Sequence, residues 1–152
     1  MTKTTCRRMP ALAGLVAVAL AAGLALPPVA RAGDDSAILK IMEQVNTRNR
    51  AIGKGLRISF APEAASRKTL AADAASLVQL GKEARTLTGP ARERKKSKQE
   101  WTRTVDDFLW ASQELARVIA DPGSTQVRAK QSYQKLQKTC INCHSAFREG
   151  VD

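Results

Sequence analysis

Three reactive side chains near the end of the chain sit at short fixed spacing. They are Cys140, Cys143 and His144, in the run Cys140-Ile141-Asn142-Cys143-His144. C-x-x-C-H is the attachment signature of c-type haem. Two thiols three positions apart can add to the two vinyl groups of one porphyrin, forming two thioether bonds. The imidazole that follows is then placed under the iron and ligates it through a ring nitrogen. His144 is the only histidine in 152 residues, so no other imidazole competes for that role. The cysteines are also compatible with a local disulfide, a thioredoxin-like redox pair or half of a zinc site. Zinc would lack ligands, because after Cys6 the chain holds no Cys or His besides these three. A thioredoxin-like pair opens a helix after a strand, and no strand pattern precedes this one.

Residues 1–32 read as a secretory leader. Lys3, Arg7 and Arg8 form its charged start, Ala11 to Leu26 an unbroken apolar stretch, and Ala30-Arg31-Ala32 a small-x-small cleavage site. The apolar stretch falls short of the ~20 residues needed to span a bilayer. The expectation is cleavage after Ala32, a mature chain starting at Gly33, a periplasmic location and no transmembrane segment after processing. Cys6 precedes the apolar stretch and so does not read as a lipid-bearing cysteine. Haem attachment of this kind takes place outside the bacterial cytoplasm, so leader and motif agree.

Residues 33–152 have the length of one domain. Loss of the leader removes Lys3, Arg7, Arg8 and Arg31 and no acidic residue, lowering the formal charge from +11 to +7. A basic surface suits acidic partners or an anionic membrane. An exported protein is not expected to have nucleic acid as a partner.

Pro62, Pro90 and Pro122 each lie between stretches of helical periodicity. Proline interrupts helices, so three breaks divide the mature chain into four. The first helix spans about Ser36 to Arg57, with Asp34, Asp35 and Ser36 as cap candidates. Its apolar face is Ile38, Met42, Val45, Asn49, Ile52 and Leu56. The second spans about Glu63 to Thr86, with Leu70, Ala74, Leu77, Gly81 and Ala84 in phase. The third spans Ser97 to Ala120, with Trp101, Val105, Phe108, Ser112, Leu115 and Ile119 inward. The fourth spans Thr125 to Arg148 and carries Val127, Tyr133, Leu136, Cys140, Cys143 and Phe147. Short connections between long helices favour an all-α, antiparallel up-down-up-down four-helix bundle. Its haem would lie near the C-terminal end of the fourth helix. Gly53 and Gly81 allow close approach of haem or a neighbouring helix. Lys40, Arg48 and Arg50 are candidates for the propionates. Arg92, Arg94, Lys95, Lys96 and Lys98 form a basic run before the third helix.

Four helices with C-x-x-C-H in the last turns resemble the class II c-type cytochromes, which include cytochrome c′ and its low-spin relatives. The resemblance covers residues 34–150. It is most specific at Cys140, Cys143, His144, Phe147 and Arg148, the family's C-x-x-C-H-x-x-aromatic-basic pattern. It implies one covalent haem c on Cys140 and Cys143, with His144 as proximal ligand. Arg148, one turn on, would pack beside the imidazole and influence its protonation and the iron potential. It also implies an electron carrier, not an enzyme, whose partners are redox proteins with acidic docking surfaces. Family members pair through helix faces, which makes a homodimer an expectation too.

The family divides at the sixth iron position, which faces the first helix. In the low-spin branch a Met ligates there. In cytochrome c′ an apolar side chain shields an open position that binds small gases such as NO and CO. A second His is absent, which excludes bis-His ligation within one chain. Met42 is the only Met after processing, lies in the first helix and is in phase with Ile38, Val45 and Ile52. It is therefore the candidate sixth ligand, with Val45 the alternative as an apolar shield. A peroxidase would need distal acid–base groups, and the inward stripe of the first helix carries no acidic residue.

Overall fold

The computed structural model describes residues 32–58, 60 and 65–148. Among them all regular structure is helical: α1 (Ala32–Ile58), α2 (Ala65–Thr86), α3 (Gly89–Glu93), α4 (Lys98–Ala120) and α5 (Gln126–Phe147). The leader residues 1–31, together with Pro62 and Glu63, lie outside the described residues.

The helix ends follow local chemistry. The Ser97 hydroxyl accepts the Glu100 N–H at 3.0 Å, while the Glu100 carboxylate accepts the Ser97 N–H at 2.9 Å. This reciprocal box satisfies two donors that the first turn of α4 would otherwise leave open. Thr125 caps α5 by accepting the Arg128 N–H at 3.3 Å. Between α4 and α5 the Asp121 carboxylate accepts the Gly123 N–H at 2.9 Å and stabilises the turn. Two boundaries differ from expectation. First, α1 begins at Ala32, so Ser36 is an interior, exposed residue and not a cap. Second, Pro90 does not simply separate two helices. It lies in the first turn of the short α3, where its missing N–H costs nothing. The basic run is therefore partly helical, with Arg92 in α3 and Lys95 in the left-handed conformation just beyond it.

The inward faces form one core. Ile52, Leu56, Leu77, Trp101, Leu115, Ile119 and Leu136 are its largest fully buried side chains. Each contributes about 1.5–3 kcal/mol on burial. Val127, expected inward on the last helix, is 66% exposed, and Ala129 takes the inward position. Val127 stands six residues from Tyr133, about a third of a turn out of phase. Trp101 is core, as expected; Phe108 only packs against its edge.

Contacts between helices fix which ends meet. At the start of α2 the buried Arg67 donates to the carbonyl of Ile119 at 2.8 Å and to that of Asp121. The Ile119 carbonyl belongs to the last turn of α4, which the helix leaves open, while that of Asp121 also accepts the Ser124 N–H at 2.9 Å. At the other end of α2 Arg85 pairs with Asp106, near the start of α4, at 2.6 Å. Arg48 of α1 pairs with the buried Asp73 of α2 at 2.9 Å. Trp101 at the start of α4 donates its indole N–H to the Ala84 carbonyl at 3.2 Å. The same ring meets Phe147 at the end of α5 edge-on, with centroids 5.2 Å apart. No helix among the described residues is long and apolar enough to cross a membrane.

Two substitutions test these contributions by urea unfolding. Ser97→Ala breaks the box and should cost about 1 kcal/mol. Leu136→Ala, at a fully buried site, should cost about 2–5 kcal/mol. Equal, small losses from both would contradict the burial assigned to Leu136.

Candidate functional site

Helix α5 places the chemistry. Residues three and four apart share a helix face, so Cys140, Cys143 and His144 occupy one arc. This arc continues the inward stripe of Ala129, Tyr133 and Leu136. Burial changes along the stripe. Ala129 and Leu136 are fully buried, whereas Cys140, Cys143 and His144 are half-buried. Neighbouring helices seal the first part of the stripe and leave the last part partly open. Phe147 ties the far end of the arc to Trp101, and the Lys96 ammonium stands 5.9 Å from the Phe147 ring centroid.

Both cysteines are free thiols. Burial, and then the neighbouring Cys140, push the Cys143 thiol up to about 11. Burial also raises the Cys140 thiol. Burial, and then the positive charge of Arg148, lower His144. Its imidazole is therefore neutral at neutral pH, with a lone pair free to bind a metal. Arg148 ends α5, exposed and in extended conformation, and its N–H donates to the His144 carbonyl at 2.9 Å. It thus acts on His144 through its charge and closes the helix at the same time.

The other candidates separate. Met42 and Ile38 are half-buried against the core, while Val45 is buried at 8% exposure. Arg48 is committed to Asp73, and Lys40 and Arg50 are exposed. Gly53 and Gly81 both serve close approach between helices. A Cβ on Gly53 would stand 2.7 Å from the Tyr133 hydroxyl oxygen, and one on Gly81 2.8 Å from Leu109 Cδ2.

Tyr133 was legible from sequence only as an inward residue, and its partners were not. Its hydroxyl donates to the Asn49 carbonyl of α1 at 3.0 Å. Burial, and then the nearby Cys140 thiol, raise its phenol. Gln126 likewise donates to the Leu56 carbonyl of α1 at 2.6 Å. A one-sided charge pattern on α5 was also missed, though the sequence displays it. Arg128, Lys130, Lys135 and Lys138 are exposed, and Gln126–Phe147 contains no Asp or Glu.

The residues fit a covalent haem. One arc supplies two thiols and a neutral imidazole, in a stripe that protein side chains do not fully cover. The Asn49 side-chain oxygen is buried without a hydrogen-bond partner, so protein atoms alone do not complete the polar pairing of α1. Among the described residues no three His, Cys, Asp or Glu side chains converge on a point that could hold a bare metal ion. An open groove of about 700 Å³ lies elsewhere, along the outward face of α5, between Glu114, Arg128, Lys135, Lys138 and Ile141. Its charged, solvated walls do not suit an apolar ring. The chain matches no known protein family, no curated protein and no solved structure.

The thiol chemistry is testable in chain produced without haem attachment. At neutral pH the thiol of Cys143 should alkylate with iodoacetamide at least about tenfold more slowly than free cysteine, since the thiolate is the nucleophile. The rate should rise steadily with pH. Rapid alkylation at neutral pH would contradict the burial of the pair.

Proposed function

We propose that this protein is a monohaem class II c-type cytochrome that carries single electrons between redox partners in the periplasm. Residues 1–32 are its leader and residues 33–152 its haem-binding domain. The observation that carries the proposal is the single arc of Cys140, Cys143 and His144 at the half-open end of α5.

Helix contacts support an antiparallel up-down-up-down bundle of α1, α2, α4 and α5. The start of α2 meets the end of α4, the end of α2 meets the start of α4, and the start of α4 meets the end of α5. Helix α3 is then an elaboration of the connection between the second and third long helices. This arrangement sets the C-terminal end of α5 against the N-terminal half of α1, where Met42 lies.

When bound, haem supplies an Fe(III)/Fe(II) couple. Cys140 and Cys143 hold the ring through two thioethers, which fix its orientation on α5. His144 presents a neutral imidazole nitrogen as the proximal ligand. Arg148 disfavours a proton on that imidazole and so keeps it available. Met42 is assigned to the sixth position. The register between α1 and α5 supports that assignment. Gln126 meets Leu56 and Tyr133 meets Asn49, so seven residues along one helix match seven along the other in the opposite sense. The next step of seven brings Cys140 level with Met42. Thioether sulfur is a soft ligand that favours ferrous iron and raises the potential. The acid-free outer face of α5 supports partners with acidic docking surfaces.

A second reading has one observation in its favour. Val45 is more deeply buried than Met42. If Val45 shields the iron, the centre is five-coordinate and the protein binds NO or CO, as in cytochrome c′.

Absorption spectra separate the two. With Met42 ligated, the oxidised protein should show the weak long-wavelength Met-to-iron charge-transfer band, and the reduced protein should bind carbon monoxide slowly or not at all. Met42→Ala should turn the iron high-spin and lower its potential. A wild-type protein that is already high-spin and takes up carbon monoxide readily would favour the Val45 reading. Mass spectrometry of the exported protein should give a chain starting at Gly33 plus one haem. A product retaining Met1 would contradict the leader assignment.

A further inference from the structure

Helices α1 and α5 are fastened at one place close to the proposed iron site, and the fastening has an unusual construction. Tyr133 reaches from α5 and donates to the backbone carbonyl of Asn49. That carbonyl also belongs to the i→i−4 ladder of α1, where its partner is the N–H of Gly53. The phenol therefore lies against the helix at a residue without a side chain. A Cβ on Gly53 would stand 2.7 Å from the hydroxyl oxygen, 3.3 Å from Cζ and 3.5 Å from Cε1. At the first distance something must shift, the second is tight, and the third is ordinary van der Waals contact. Thus the hydroxyl oxygen alone sets the closest approach. Arg57 donates to the Gly53 carbonyl at 3.1 Å on the same helix.

The fastening is well placed to control ligation. Tyr133 is two turns before Cys140 on α5, and Asn49 two turns after Met42 on α1. The Gln126–Leu56 hydrogen bond between the same helices lies a further two turns from that level. A change in separation at Gly53–Tyr133 is carried to Met42 by the stiffness of α1, because packed helices move as units.

Resting on the Met42 reading, we propose that Gly53 and Tyr133 form a positioning strut. It sets the distance between α1 and α5 and thereby decides whether the Met42 sulfur reaches the iron. Neither residue touches the iron in this account, and both act through α1. The strut explains why a glycine stands in the interior of α1, where it weakens the helix relative to alanine.

The test uses holoprotein and four variants. Wild type should show the Met-to-iron band. Gly53→Ala should weaken or abolish it and accelerate carbon monoxide binding to the reduced protein by on the order of tenfold or more, as expected for an overpacked contact that biases a two-state ligation equilibrium. Tyr133→Phe keeps the ring and loses only the hydrogen bond, so its change should be smaller. The decisive variant combines the two. Gly53→Ala with Tyr133→Phe removes the clashing oxygen and should recover most of the band and the slow carbon monoxide binding. General destabilisation would instead accumulate in the double variant. Should Gly53→Ala fail to yield holoprotein, Tyr133→Leu removes the strut by truncation and should weaken the band in the same way. A high-spin wild type sinks the Met42 reading and the strut with it. A low-spin wild type whose band survives Gly53→Ala unchanged, or a double variant that shows no recovery, overturns the strut alone and leaves Met42 ligation standing. An unchanged band in Tyr133→Leu does the same.

Discussion

Everything in this molecule turns on one stripe of one helix that must serve two environments. From Ala129 to Leu136 the inward face of α5 is sealed core, and from Cys140 to His144 it is half-open. Helical spacing puts two thiols and an imidazole on the same arc as the core residues. The packing that orients Leu136 therefore also orients the reactive groups. The Trp101–Phe147 contact anchors α5 beyond the reactive residues, and Tyr133 anchors it before them. The arc is thus held on both sides without being covered.

Burial then sets the protonation of these groups. It keeps the thiols protonated and the imidazole neutral, with Arg148 adding to the second effect. A neutral imidazole is the form that binds iron. The same helix turns a basic, acid-free surface outward. One element therefore combines proposed cofactor attachment, axial ligation and the electrostatic approach of a partner. In the proposed centre the distal side belongs to α1, which the Tyr133–Asn49 hydrogen bond ties to α5.

Much of this was legible in the sequence because it is local. The spacing of Cys140, Cys143 and His144 already puts them on one arc of a helix. Ser97 and Glu100 announce the start of α4, and the Asp121-Pro122-Gly123 turn its end. The misses have physical reasons. Pro90 matches both a helix break and, in Thr88-Gly89-Pro90, a helix start with proline in the first turn, and local sequence does not choose between them. Val127 was assigned inward from its type, against its phase. The buried charges of Arg67 and Asp73 could not be anticipated, since each is tolerated only through a partner on another helix. Gly53 could be marked as a close approach, but its partner depends on the register between α1 and α5. The proposed sixth ligand depends on that register as well.

The central claim is that Cys140 and Cys143 bind haem covalently. It is tested most directly by denaturing the purified, coloured protein and extracting it with acidified organic solvent. Two thioether bonds should keep the haem with the polypeptide, while Cys140→Ala together with Cys143→Ala should leave none attached. Haem that passes into the solvent from the wild-type protein would contradict the account.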